Sequence, residues 1–454
     1  MPKRNLAWVL IVVAVALILW QLPQQIAGRD SVLRAFGPLV DARAQIHRRF
    51  VTDINDERLT RAAIDEGIRA MLRQLNDPYA VYLNAEEFQR FHDRTHGKYG
   101  GIGVEVWSTE YGLEVLSRES GSPADIEGIL PEDLITHIDG EPIAKMSAFE
   151  AVNNRLNGAA GTNVTLGVIR GNSGGGPGAI LKFTLTRAEI EIDPVRGWSR
   201  DTNGGWRYVI DNDHGVGYIR LVKFTDQSDE RLRQEIERML QMGMKGLVLD
   251  LRENGGGLLE AAWGVADMFL DSGVIVTTKG RRSAEQQWYA SKEGTLPKFP
   301  MVILVNGATA SASEIVSGSL RDHKRAVVFG DRTFGKGSVQ ELIPLDHNSG
   351  AIKLTTRYYY LPSGVCIHRL PGMSPQDDWG VRPNQLIRLT PAERYDWMRA
   401  WREVAREPTN GDADGVSPEE LLNLDKQLRE AVQYLIERNA APTPTNQATT
   451  ESTH

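Results

Sequence analysis

The sequence predicts an α/β protein of several domains: an N-terminal membrane segment with helices, a β-rich domain, an α/β core and a helical C-terminal region. The chain has 454 residues, more than one domain usually holds. Between Ile190 and Asn384, short apolar runs alternate with amphipathic helical patterns, which is typical of an α/β core. Hydrophobic residues make up 41% of the chain, enough to fill several cores.

The composition excludes several classes of function. A net charge of −7 and the lack of a basic stripe argue against a nucleic acid partner. The single cysteine, Cys366, excludes an intrachain disulfide and cysteine-rich metal sites. The nine histidines show no paired metal spacing. These counts therefore argue against a cysteine-rich or histidine-paired metal site.

Residues 1–24 are predicted to be a membrane anchor or a signal segment. Lys3 and Arg4 precede the uncharged run Leu6–Trp20. This run is nearly long enough for a spanning helix, and it also fits a signal-peptide core. The poor cleavage signal favours an uncleaved anchor, with the basic end in the cytoplasm and the rest of the chain outside it.

Helical patterns lie on both sides of the central domains. In residues 30–96, apolar residues recur at helical spacing over Val32–Phe50 and Leu59–Leu75. Leu389–Glu407 and Glu419–Ile436 predict two helices within residues 386–438. The Pro/Thr-rich tail, residues 439–454, is predicted to be disordered.

Residues 97–189 predict a β-rich domain with a site for a peptide terminus. A glycine-rich loop precedes a strand, so its backbone N–H groups can converge on a terminal carboxylate while the strand edge pairs with an extended peptide. The predicted peptide-binding residues are Tyr99, Gly100, Gly101, Ile102 and Gly103. Together with Ser122-Pro123-Ala124 and Leu134–Gly140, this stretch resembles a PDZ domain.

The chemistry is concentrated in Asn306–Gln340. The apolar run Met301–Val305 predicts a buried strand, and Ser313–Leu320 predicts a helix for which Ser313 is a suitable cap. Ser311 therefore lies on a strand-to-helix turn. Unpaired backbone N–H groups at the start of a helix can face a developing oxyanion.

A second predicted strand, Ala326–Gly330, leads to a lysine and a glutamine. If Lys336–Gln340 is extended, Lys336, Ser338 and Gln340 share one face. An amine and a hydroxyl that can meet suggest a serine nucleophile with a lysine base. The lysine must be neutral for this role, which requires burial or a nearby like charge to lower its pKa.

The run from Ser311 through Gln340 resembles the carboxyl-terminal processing peptidases, PDZ-containing serine proteases with a Ser–Lys dyad. The motifs are Ser311–Ile315 (SASEI) and Thr333–Gly337 (TFGKG), followed by Val339-Gln340. The resemblance implies that Ser311 is the nucleophile, that Lys336 is the base and that Gln340 positions it. It also implies a peptidase core over residues 190–385, with an oxyanion hole formed by the N–H groups of Gly256 and Ala312. In Arg252–Gly257 (RENGGG), however, Gly255 stands where the family has proline.

This resemblance implies a serine endopeptidase that recognises protein C-termini through its PDZ domain and needs neither a metal ion nor an organic cofactor. The expected partners are proteins or peptides with free C-termini, and the membrane through the N-terminal segment. The expected location is the inner membrane, with the catalytic domain in the periplasm or another extracytoplasmic space. Residues 30–96 correspond to a region that the family uses for helical packing or dimerisation, which suggests a homo-oligomer, and an activating partner is compatible with this arrangement.

Three other hypotheses were weighed. Gly330–Lys336 fits most of a phosphate-binding loop, but Gly337 stands where that loop needs a hydroxyl. A catalytically silent PDZ scaffold or chaperone is the alternative from a different functional class. A Ser–His–Asp triad would use His323 and Asp322, which are close to Ser311 in sequence.

Overall fold

The computed structural model describes residues 35–85, 87–88, 98–146, 150–170, 180–191, 193–202, 204–346, 349–407 and 416–440. The chain divides into two compact units, residues 1–82 and residues 83–454. The predicted membrane segment Leu6–Trp20 and residues 441–454 of the predicted tail lie outside the described residues. The start of the predicted tail is wrong by two residues, because Asn439 and Ala440 belong to the last helix. No helix within the described ranges is both long enough and apolar enough to cross a bilayer.

The first unit contains the two predicted helices, α1 (Gly37–Arg49) and α2 (Asp56–Arg73), and the chain then enters the short strand β1 (Val81–Leu83). The Asn55 side chain caps α2 by accepting a hydrogen bond from the Arg58 N–H at 2.9 Å. The cap explains why α2 begins at Asp56, three residues before its first predicted residue.

The β-rich domain of the second unit is an antiparallel sheet in the order β3-β4-β5-β7-β8, with β6 beside β5. Inward side chains such as Val115, Ile135 and Leu166 form its own core. Strand β3 is an edge strand of this sheet among the described residues. The elements are β2 (Lys98–Gly101), β3 (Val104–Ser108), β4 (Leu113–Arg118), α3 (Pro123–Ile126), β5 (Leu134–Ile138), β6 (Glu141–Pro142), β7 (Asn163–Ile169), β8 (Ile180–Thr186) and β9 (Ala188–Glu191), with a 3₁₀ turn at Ile143–Lys145 and a π-helical turn at Ala151–Leu156.

The α/β core and the C-terminal helices follow. The elements are β10 (Val195–Arg196), β11 (Ser199–Arg200), β12 (Trp206–Arg207), β13 (Val209–Asp211), β14 (Val216–Leu221), α4 (Ser228–Gln241), β15 (Gly246–Asp250), α5 (Leu259–Asp267), β16 (Val274–Lys279), β17 (Gln286–Tyr289), β18 (Met301–Val305), α6 (Ala312–Asp322), β19 (Val327–Gly330), β20 (Ser338–Pro344), β21 (Ala351–Tyr360), β22 (Gln385–Leu386), α7 (Pro391–Ala405), α8 (Pro418–Leu424) and α9 (Lys426–Ala440).

The core is built on a parallel sheet in the order β14-β15-β18-β19-β22, with β10 and β13 antiparallel to β14. Every residue of β15 and β18 is buried because helices cover both faces. Helices α4, α5 and α6 pack on one face, and α7, α8 and α9 pack on the other. Sites in such sheets lie at the carboxyl ends of the strands. Those ends carry the loops that contain Gly256 and Ser311.

A second sheet, in the order β20-β21-β16-β17, lies in the same core. Strand β20 begins at Ser338, and a bulge shifts its register between Val339 and Gln340. The prediction that Lys336–Gln340 is one regular strand with three side chains on one face is therefore wrong. Lys336 lies in the loop before the strand, and a bulge interrupts the alternation of side chains after Ser338.

The helix predicted over Glu419–Ile436 is in fact two helices, α8 and α9, because Asp425 leaves the helical conformation at φ −109°, ψ 88°. Its side chain accepts a hydrogen bond from the Leu428 N–H at 3.0 Å, which caps α9. The same carboxylate pairs with Arg252, so a tertiary contact fixes the break.

Candidate active site

Ser311 is held in a strained backbone conformation. It stands between the end of β18 and the start of α6, at φ 58°, ψ −117°. Residues other than glycine seldom adopt this region, and they keep it only where the surroundings enforce it. Such strain is typical of functional turns, so the geometry marks Ser311 rather than its neighbours.

Ser313 does not cap α6, and that prediction is wrong. It is fully buried in the first turn of the helix, where its hydroxyl donates to the Asn254 carbonyl at 3.0 Å. Ser311 occupies the N-cap position instead. Ser313 thus fastens the start of α6 to the loop that follows β15.

The carboxylate of Glu314 joins the segment of the predicted nucleophile to the segment of the predicted base. One of its oxygens accepts the N–H of Ser311 at 2.8 Å and the N–H of Lys336 at 2.8 Å. The other accepts the N–H of Gly335 at 2.8 Å and the hydroxyl of Thr333. The side chain is 0% exposed. Burial raises the pKa of Glu314, and these four hydrogen bonds act against that rise.

The sequence analysis did not predict this role of Glu314. The missed signal is the spacing of Ser311 and Glu314, the first and fourth positions of a capping box. The contacts to Thr333, Gly335 and Lys336 span 19 to 22 residues and have no local signature.

Lys336 lies in surroundings that suit a base. Burial lowers the pKa of its amine, the nearby charge of Lys353 on β21 lowers it further, and Glu314 opposes both effects. These are the two causes that the sequence analysis required for a neutral lysine. The direction of the shift therefore agrees with a role as general base.

Gln340 is bonded within its own strand. Its amide nitrogen donates to the Ser338 hydroxyl at 2.8 Å and to the Ser338 carbonyl at 3.0 Å. Ser338 is 2% exposed, so this pair lies at the root of the loop that carries Lys336. A direct role of Gln340 in orienting the lysine amine stays a prediction.

The predicted oxyanion donors lie beside Ser311. A Cβ atom added to Gly256 would lie 2.8 Å from the Ser311 Cβ and 2.9 Å from the Ala312 nitrogen, and the glycine has φ +98°. Only glycine fits there. The Ala312 N–H, the first of α6, has no acceptor among the described residues. The Gly256 N–H instead donates to the Asn254 side chain at 2.9 Å.

A buried ion cluster lies at the end of β15, where the loop that contains Gly256 begins. The Arg252 guanidinium donates to Asp250 at 2.6 Å and to Asp425 at 2.6 Å. The Tyr218 hydroxyl donates to Asp250 at 2.8 Å. Burial alone would raise the pKa of Asp250, but Arg252 overrides burial and lowers it. The strand end is thus held by charge-assisted bonds that span the core.

The segment 365–379, whose role the sequence left open, braces the loop of Lys336. The Arg369 N–H donates to the Gly335 carbonyl at 2.8 Å. The Arg332 guanidinium donates to the carbonyls of Trp379 at 2.7 Å and Pro375 at 2.6 Å. Both guanidinium groups lie over the Trp379 ring, at 3.6 Å for Arg332 and 4.5 Å for Arg369. We call residues 365–379 the strap.

The predicted peptide-binding residues form part of a strand and the turn after it. Tyr99, Gly100 and Gly101 belong to β2, which pairs with β9. Ile102 is buried, and Gly103 has φ +76° at the turn into β3. Burial, helped by Glu119 and Glu105, raises the pKa of Tyr99 to about 12. The edge of β3 beside this turn is the place where an extended peptide can pair.

The Ser–His–Asp hypothesis does not fit the structure. His323 follows the last residue of α6, whereas Ser311 precedes its first residue. Eleven helical residues separate them, which is roughly 16 Å of rise. The His323 imidazole lies 2.8 Å from the Val274 carbonyl. Strand β20 follows Lys336, where a phosphate-binding loop would continue into a helix.

Comparisons with known proteins agree with this arrangement. The model of "Peptidase family S41" matches residues 215–383, and that of "PDZ domain" matches residues 100–174. The carboxy-terminal-processing protease of Bartonella bacilliformis is 36% identical over 368 residues, which cover 80% of this chain and 76% of the relative. That of Synechocystis is 34% identical over 322 residues, 70% of each chain.

Among solved structures, the photosystem II D1 C-terminal processing protease matches with 27% identity and a TM-score of 0.43, covering 77% of this chain and 92% of that one. Because residues 215–383 match the peptidase family S41, residues 100–174 match the PDZ domain and the Bartonella bacilliformis protease is 36% identical, the chain belongs to the carboxy-terminal processing proteases and is a serine peptidase with a PDZ domain.

Proposed function

We propose that the protein is an endopeptidase that uses a Ser311–Lys336 dyad on proteins whose C-termini its PDZ domain binds, outside the cytoplasm. The shared carboxylate of Glu314 carries this proposal. It fixes the backbone of both residues to one buried point. A nucleophile and a base on separate segments need such a fixed relation.

The reaction would proceed by acyl transfer. The Ser311 hydroxyl attacks the scissile carbonyl and passes its proton to neutral Lys336. The Ala312 N–H stabilises the oxyanion, and the Gly256 N–H joins it once it leaves the Asn254 side chain. Lys336 then protonates the leaving amine, and water hydrolyses the acyl-enzyme.

The recognition of C-termini is supported by the edge of β3 and the adjoining turn through Gly103, a geometry suited to strand addition. The location is supported by the uncharged run Leu6–Trp20 after a basic end. An inner-membrane anchor with the catalytic domain in the periplasm, a homo-oligomer and an activating partner all belong to this proposal.

The test is cleavage of casein by the full chain, beside Ser311→Ala and Lys336→Ala. Ser363→Ala and Lys292→Ala, which change exposed residues, are the matched controls. We expect the parent and the controls to cleave and the two dyad variants to be silent. Cleavage by the dyad variants at the parental rate would refute the dyad. Tight peptide binding by a parent that cleaves nothing would favour the silent scaffold.

A further inference from the structure

A cavity of about 500 Å³ lies where the β-rich domain meets the core and α7. This volume is within the usual range of ligand pockets, about 300–1,000 Å³. Its walls include Trp107 and Leu116 from the β-rich domain, Arg220 from β14, and Trp397, Met398 and Arg402 from α7. Glu253, at the start of the Asn254–Gly257 loop, also lines it, so the cavity adjoins the loop of the predicted oxyanion donor.

Three side chains on these walls carry a buried donor without a partner. They are the Nε of Arg220, the indole Nε1 of Trp397 and the Nε of Arg402, none of which has an acceptor among the described residues. Trp397 is 8% exposed. Buried polar groups are almost always hydrogen-bonded, so a cluster of orphan donors around one cavity calls for an explanation.

The two carboxylates on the same walls already have donors. Glu105 accepts two hydrogen bonds from Arg196, both at 2.8 Å. Glu253 accepts one from Asn306 at 2.9 Å. The Arg220 guanidinium lies over the Trp401 ring at 4.5 Å, and its Nε has no acceptor among the described residues. Against burial, its charge helps to lower the pKa of Glu105 and of Asp250, after the larger effects of Arg196 and Arg252. The cavity therefore has a surplus of donors and of positive charge.

We propose that this cavity binds a carboxylate of the polypeptide substrate, with Arg220 as its charged partner and the Trp397 N–H as a second donor. A planar guanidinium that is already stacked on an aromatic ring suits a carboxylate, because two parallel N–H groups meet its two oxygens. Trp107, Leu116 and Met398 provide an apolar wall for the adjoining side chain. The inference deepens the proposed function and rests on it for the identity of the ligand.

The carboxylate has two sources, the terminal group of the chain or an acidic side chain. The probes are three fluorescein-labelled hexapeptides: one ending in valine with a free carboxylate, its C-terminal amide, and the same amide with glutamate before the valine. Binding is measured by anisotropy on full-length Ser311→Ala. We expect the free acid to bind at least tenfold more tightly than the plain amide. The glutamate peptide then shows whether a side-chain carboxylate suffices.

The decisive variants are Arg220→Gln and Trp397→Phe, each in the Ser311→Ala background. The acid-to-amide preference is the Kd of the plain amide divided by the Kd of the free acid. Loss of a charged hydrogen bond should reduce this ratio about tenfold in Arg220→Gln, and by less in Trp397→Phe. Arg200→Gln is the matched control. Arg200 also stacks on a tryptophan (4.1 Å to the Trp206 ring) and also has an Nε without an acceptor among the described residues, but it does not line the cavity and donates to the Gly204 carbonyl. It should keep the preference.

An unchanged preference in both variants would overturn the proposal, because the turn through Gly103 would then read the carboxylate alone. If Arg220→Gln does not fold, Trp397→Phe decides. Casein cleavage by the parent is scored separately. A parent that binds the acid through Arg220 but cleaves nothing would refute the proposed function and leave this site standing.

Discussion

At the scale of single residues, Glu314 has the widest consequences. The Glu314 carboxylate accepts four hydrogen bonds. A glutamine at this position would turn its NH2 group, which cannot accept, towards two of the four donors. The side chain is buried, so no water replaces the lost acceptor. The segments of Ser311 and Lys336 would then lose their common anchor.

We therefore expect Glu314→Gln to lower kcat by roughly 10- to 100-fold, since small displacements of catalytic groups cost that much. Stability should fall by about 1–3 kcal/mol for the unsatisfied donors. Steady-state kinetics on casein and thermal unfolding measure the two effects. Glu393→Gln is the control, because Glu393 also closes a capping box, on α7, and is only half-buried, with Lys426 as its partner at 2.8 Å. An equal loss of activity in both variants would refute the special role of Glu314.

The charge of Lys353 gives a second prediction at this scale. Its like charge helps to lower the pKa of Lys336, so Lys353→Met should raise that pKa. Catalysis needs the neutral amine, and its fraction grows as pH rises through the pKa. The ascending limb of kcat/KM should therefore move to higher pH, while the plateau above it stays unchanged.

The pH profile of Lys279→Met provides the comparison, because Lys279 ends β16 and pairs with Glu285, just before β17, at 3.1 Å. We expect the ascending limb of kcat/KM for Lys279→Met to coincide with that of the parent. If the limb of Lys353→Met also coincides with the parent's, burial alone sets the pKa of Lys336.

At the scale of elements, the strap is the least familiar part of the site. It holds the loop of Lys336 through the Arg369–Gly335 bond and through the Trp379 ring between two guanidinium groups. A Cβ atom on Gly335 would lie 2.8 Å from the Arg369 Cβ, so the strap and the loop are in close contact.

Trp379→Ala should therefore lower both kcat and stability. The cavity left by a buried tryptophan costs about 3–5 kcal/mol, and the loosened loop should reduce kcat more than it changes KM. Trp379→Phe keeps a ring between the guanidinium groups and should restore most of kcat. Trp263→Ala, on the outer side of α5, should leave kcat unchanged. No rescue by phenylalanine would mean that the strap serves stability alone.

Elements that depend on local patterns were predictable, and those that depend on distant partners were not. The run Met301–Val305 and the small-residue turn after it were enough to predict β18, α6 and the position of Ser311. The break between α8 and α9 was not predictable, because it depends on the ion pair between Asp425 and Arg252, which are 173 residues apart in the sequence. The bulge in β20 likewise follows from pairing with β21, which helical or strand periodicity in one segment does not reveal.

At the scale of the whole molecule, charged pairs join the β-rich domain to α7. Glu114 on β4 bonds Arg402 and Arg406, and Arg406 also reaches Glu132 at 3.0 Å. Glu114 is only 13% exposed, so its pairs are better shielded than ordinary surface pairs. These pairs lie beside the cavity lined by Arg220, because Arg402 belongs to both.

Glu114→Gln should loosen this junction. The domain shares a cavity with Arg220 and Glu253 at the carboxyl ends of β14 and β15, so we expect a looser junction to widen access to Ser311 and raise turnover. The expected signs are faster hydrogen exchange in β4 and α7 and a kcat on casein that rises a few-fold. Added salt should raise parental turnover in the same direction by screening the pairs. Glu141→Gln breaks a pair with Arg155 inside the domain and should change neither measurement. If exchange speeds up while kcat stays constant, the junction is loose but does not control access, and substrate reaches Ser311 by a path that the domain leaves open.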